Sequence, residues 1–75
     1  MMPPSESVRS KAQQWLEFGD GDLTASHILL ASEKPPYRIA AYHAHLAVEK
    51  HLKGYLVFHG IEFPYTHNIE SLLEL

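Results

Sequence analysis

The chain has 75 residues, no cysteine and a net charge of −3 with neutral histidines. That length allows one domain with a modest core, and the missing cysteines exclude a disulfide staple or a Cys-based zinc site. The acidic balance argues against a broad nucleic-acid footprint while leaving room for a small local site.

No apolar run approaches ~18 residues, so no membrane span is expected. The opening MMPPSES lacks the basic and apolar regions of a signal peptide. A cytoplasmic protein is expected.

Residues 1–4 read as a disordered lead. Ser5 or Ser7 is placed to cap a helix, with Glu6 near the positive end of its dipole. Small or apolar residues then recur at Val8, Ala12, Trp15, Leu16, Gly19, Leu23, Ser26 and Leu30. Steps of three and four make one helical stripe. Gly19 and Gly21 would ordinarily suggest a break. The stripe stays in phase across them, so one helix over about 6–32 is expected, with Gly19 admitting a close neighbour; a helix–turn–helix is the alternative.

Pro35 bars Lys34 from helical angles, and Pro36 suits a first helical position. From there a long helix is expected to run to about His59, ended by Gly60 as a left-handed cap with Ile61 behind it. Its residues Ala41, Ala44, Val48, Leu52 and Tyr55 share one direction and are expected to pack on the first helix. Ile39, Leu46 and Val57 form a second apolar set, expected to be buried by further helices or a second copy. Between the two runs a polar strip, Arg38, Tyr42, His45, Glu49 and Lys53. Its two readings are a solvated face and a recognition strip for an anionic partner.

A loop over 61–65 follows. Thr66 or His67 is expected to cap a third helix with Ile69, Leu72, Leu73 and Leu75 on its apolar face. The chain stops at Leu75 inside SLLEL with no stop signal, so further helices or a partner chain are expected to complete the core. No segment alternates like a strand. The fold class is all-α: two long antiparallel helices plus the start of a third.

The six histidines include no i,i+4 pair and no His-Glu-x-x-His, so no metal site and no cofactor are expected. Lys50 and Lys53 can neutralise phosphate or simply pair with Glu49. His67 can face an anion at a helix N-terminus, or tie its loop to the central helix through Glu49.

From Ala41 to Leu73 the text AYHAHLAVEKHLKGYLVFHGIEFPYTHNIESLL resembles the HEPN domain, the higher-eukaryote and prokaryote nucleotide-binding domain. The resemblance rests on Ala47, Glu49, Lys50, Leu52 and Lys53, then Gly60, Thr66, His67 and Ile69. Trp15-Leu16 and Asp22-Leu23-Thr24-Ala25-Ser26 resemble the family's first helix. The resemblance implies an up-and-down helical bundle of HEPN type, often a homodimer. It also implies a nucleotide or RNA as ligand and, in many members, a minimal nucleotidyltransferase as partner, at times as a toxin–antitoxin pair. The chain departs from the pattern where two glutamines are common (His45, Leu46), where Asp usually follows the histidine (Asn68), and in lacking the last helices.

Other members are metal-independent ribonucleases with Arg and His four to six residues apart. Arg38 and His43 match that spacing, but in one helix their side chains diverge by about 140°, and in those members the pair lies in a later helix. They are the weak catalytic candidates. The ligand candidates are Arg38, Tyr42, His45, Glu49, Lys50, Lys53 and His67. The expected function is a non-catalytic nucleotide-binding or partner subunit of a nucleotidyltransferase. A ribonuclease toxin and a purely structural oligomerisation module are the alternatives.

Overall fold

A computed structural model describes residues 3–63 and 67–75. Three helices follow one another: α1 (Glu6–Leu30), α2 (Tyr37–Phe58) and α3 (Ile69–Leu73). No strand occurs among the described residues.

Sequence sets each boundary through a specific hydrogen bond. Ser5 caps α1, its hydroxyl accepting from the Val8 amide, with Glu6 in the first turn. Gly19 and Gly21 do not interrupt α1. Pro36 is the N-cap of α2 rather than its first residue, and its carbonyl accepts from Ile39 and Ala40. At the other end Gly60 takes φ 68°. Its amide bonds to the Val57 carbonyl and that of Ile61 to the Leu56 carbonyl, the double closure of a Schellman motif. The expected caps of the third helix need a correction. Thr66, like Pro64 and Tyr65 of the loop, lies outside the described residues. His67 is not the cap; Asn68 is, its side chain accepting from Glu70 and Ser71.

α1 and α2 pack antiparallel along a ladder of small residues. Ala12, Gly19 and Ser26 are the buried positions of α1; Ala40, Ala47 and Gly54 face them. Both sets step by sevens, which keeps one residue in every second turn on the seam. The Ser26 hydroxyl donates to the Ala40 carbonyl at 2.9 Å. A Cβ at Gly19 would lie 3.1 Å from the Ala47 carbonyl oxygen and overlap the His51 ring. A Cβ at Gly54 would lie 3.2 Å from the Ala12 carbonyl oxygen. The backbones therefore approach so closely that nothing larger than alanine or serine fits between them.

This corrects the expected seam of α2. Ala41, Val48 and Tyr55 are exposed, and Ala44 and Leu52 half-buried. The true contact line, Ala40–Ala47–Gly54, lies about 100° around the helix, one residue earlier in each turn. Apolar side chains too large for the seam stand beside it. With Leu16, Leu23 and Leu30 of α1, exposed by 38%, 40% and 48%, they make one open face of the hairpin. On the second apolar set, Leu46 and Val57 are half-buried and Ile39 is exposed.

The other face of the hairpin is covered at one end. α3 packs on α2, with Leu72 and Leu56 buried and Phe63 against the edge of Trp15 at 6.4 Å between centroids. Of the expected α3 face, Leu72 is buried, Ile69 half-buried, and Leu73 and Leu75 exposed.

Candidate functional site

The polar strip of α2 divides into two parts. Its lower end turns inward. Glu49 and Lys53 are buried at 1% and 5% exposure, and the Lys53 ammonium donates to Glu49 Oε1 at 3.4 Å. The same oxygen meets His67 Nδ1 at 2.6 Å. Lys53 also lies 5.3 Å from the centre of the Trp15 ring, a cation–π distance. His45 Nε2 reaches the His67 carbonyl at 3.2 Å and donates there, since a carbonyl only accepts. Two contacts thus fasten His67, just before α3, to the central helix: its ring to the buried Glu49 carboxylate and its carbonyl to the His45 ring. Of the two readings of His67, the tie to Glu49 is the geometry found.

The upper end of the strip, Arg38, Tyr42 and His45, stays on the surface. Arg38 has no ion-pair partner among the described residues.

Lys50 belongs to neither part. It donates to Asp22 Oδ2 at 2.5 Å, while His43 Nδ1 meets Asp22 Oδ1 at 2.9 Å. Asp22 was not among the expected site residues. It flanks the stripe of α1 on the side that faces Lys50 and His43, which are seven residues apart and so on one face of α2. An acid beside one seam and two basic groups beside the other were visible signals; the register between the helices was not. Arg38 and His43 do not converge, because the His43 ring is turned to α1.

Asp22 is only 12% exposed. Partial burial alone would raise its carboxyl pKa. The hydrogen bonds from Lys50 and then His43, with their charges, outweigh that and hold it below the ordinary value of 3.8. A carboxyl that is more acidic folded than unfolded stabilises the fold fully above the unfolded value, and loses that effect as pH falls through the folded one. Asp22→Asn should therefore cost stability at pH 7, and the gap to wild type should close below about pH 4. Thermal unfolding followed by circular dichroism between pH 7 and pH 2 reads this. A gap that persists undiminished at pH 2 would contradict the assignment.

The remaining histidines are structural in setting. His51 Nε2 meets Asp20 Oδ1 at 3.0 Å across the seam, and its ring is half-buried. His59 is exposed, not packed in the core, and its ring lies 4.4 Å from that of Tyr55. No group of three His, Cys, Asp or Glu able to hold a metal occurs among the described residues. No described helix is long and apolar enough to cross a membrane.

A family model described as HEPN domain matches residues 12–75. No curated protein and no solved structure gives a significant match.

Proposed function

We propose, from the premise that this chain belongs to the HEPN domain family, that it is a non-catalytic nucleotide-binding or partner subunit of a minimal nucleotidyltransferase in the cytoplasm, within a toxin–antitoxin pair. Membership supports a role with nucleotides or RNA in general. The finer reading is supported by one feature of the surface. Arg38 and Tyr42 stand exposed one turn apart on α2, the former without an ion-pair partner among the described residues, the latter 60% exposed. A free guanidinium and an open aromatic face are what a phosphate and a base require. Glu49 and Lys53 leave the list of ligand contacts in this reading, because they are spent on each other and on α3.

The test is isothermal titration of the chain with AMP and ATP. Arg38→Ala and Tyr42→Ala should each weaken binding about fivefold, roughly 1 kcal/mol, with unchanged melting temperature. RNA cleavage lost in His43→Ala would replace this reading with the ribonuclease one.

The open face of the hairpin supports self-association as well. Leu16, Leu23, Val48 and Tyr55 are large apolar side chains left exposed, as at interaction sites, consistent with a homodimer. A stable dimer whose unfolding no nucleotide affects would make the chain a structural oligomerisation module.

A further inference from the structure

Asp22 divides its carboxylate between two basic side chains that each keep capacity to spare. His43 uses Nδ1 on it and retains Nε2; Lys50 uses one ammonium hydrogen and retains two. Bound to the two oxygens of one carboxylate, His43 Nδ1 and Lys50 Nζ are held within roughly 7–8 Å of each other, two hydrogen bonds plus the width of the carboxylate, with the free Nε2 across the ring from Nδ1. Neither is sealed from solvent: the His43 and Lys50 side chains are 31% and 29% exposed. Tyr42 adjoins them, its ring centre 5.8 Å from that of His43 and inclined at 67°. An open aromatic face and a preorganised pair of nitrogen groups therefore lie side by side on α2.

We propose that His43 and Lys50, spanned by Asp22, form a phosphate subsite for a nucleoside monophosphate whose base stacks on Tyr42. This rests on the nucleotide reading above and replaces Arg38 by His43 and Lys50 as the groups that hold the phosphate. The charges fit. The charge of Asp22 is balanced by Lys50, which it meets through Oδ2. With Nδ1 on Asp22, Nε2 is the ring atom left to hydrogen-bond a phosphate oxygen. Lys50 adds its remaining ammonium hydrogens from the other side. Asp22 is a positioning residue: it turns the ring so that Nε2 points away from α1, and it keeps Lys50 from ranging over the surface.

The test uses the whole chain and three probes, AMP, adenosine and inorganic phosphate, followed by proton–carbon spectra of the histidine rings, tyrosine rings and lysine side chains. AMP should move Tyr42, His43 and Lys50 signals together. Inorganic phosphate should move His43 and Lys50 alone, and adenosine Tyr42 alone. Lys50→Gln should weaken AMP about tenfold, the loss of one charge-assisted contact, and leave adenosine within twofold. The wild-type spectra decide the matter even if that variant, which loses a bond between the helices, fails to fold. AMP moving Tyr42 and Arg38 signals but not His43 and Lys50 would overturn the subsite and leave the nucleotide reading standing. AMP moving none of them would overturn both. Equal movement of all histidines by inorganic phosphate would mean diffuse ionic attraction and would also overturn the subsite.

Discussion

Gly54→Leu should cost about 3 kcal/mol and lower the melting temperature by roughly 15 °C, the scale expected for a domain of this size. Already the first atom of a side chain there would lie 3.1 Å from Leu16 Cδ2, 3.2 Å from the Ala12 carbonyl oxygen and 3.2 Å from Trp15 Cβ. Two of these three belong to backbone or to a Cβ, which cannot rotate away. A leucine therefore separates α1 from α2 over the neighbouring turns, where Ala47 and Ala40 continue the same ladder. Small stable domains hold only about 5–10 kcal/mol in reserve, so the variant should be marginal at 37 °C. Gly21→Ala is the control. Nothing lies within 4 Å of a Cβ at that position, and the residue is in the interior of a helix. Relief of glycine's conformational freedom should stabilise the chain by about 0.5–1 kcal/mol. Chemical denaturation of both variants reads the contrast. Equal effects of the two substitutions would mean that the helices do not meet on the small-residue ladder.

Glu49→Gln should cost about 3 kcal/mol although it removes no volume. The carboxylate is 1% exposed and is shared by Lys53, itself 6% exposed, and by His67. Deleting its charge takes a counter-ion from a buried ammonium, and breaking such a pair from one side is far more damaging than removing both members. The paired replacement Glu49→Met with Lys53→Met should recover most of the loss, since a long apolar side chain at each position fills similar space and leaves no charge unmatched. His67→Ala should be milder, about 1–2 kcal/mol, because Lys53 still serves Glu49. Its effect should concentrate in α3, read as faster amide exchange at Leu72 and Leu73 with little change in α1. Uniform acceleration along the whole chain would instead place His67 in the central core.

Periodicity carried the helices well and the contact line less well. On α1 the stripe from Val8 to Leu30 contains every buried position of that helix, and Gly19 admits a close neighbour as its phase suggests. On α2 Ala41, Ala44, Val48, Leu52 and Tyr55 share one direction, which is the usual mark of a core face. Here that mark misleads. The seam is so narrow that only Ala40, Ala47 and Gly54 enter it, and the bulkier residues are displaced to its flank. Hydrophobicity reports which side chains leave water; it does not report how near two backbones come.

The charged residues divide in the same way. The pairing of His67 with Glu49 was legible as one of two readings, because His67 follows the central helix closely in sequence. The partner of Lys50 was not. A lysine next to Glu49 has a local candidate, but the partner it takes, Asp22, is set by the register of two helices joined at Pro35–Pro36.

Sequence by itself determined the all-helical class, the turn at the prolines, the stop at Gly60 and membership of the HEPN family. Each follows from backbone preference or from a motif contained within a few turns. Only the tertiary structure decided which members of the Arg38–Lys53 strip face solvent. That depends on the small-residue ladder fixing the rotation of α2 against α1: a rotation of about 100°, one residue's worth, would carry each of these side chains to a different face.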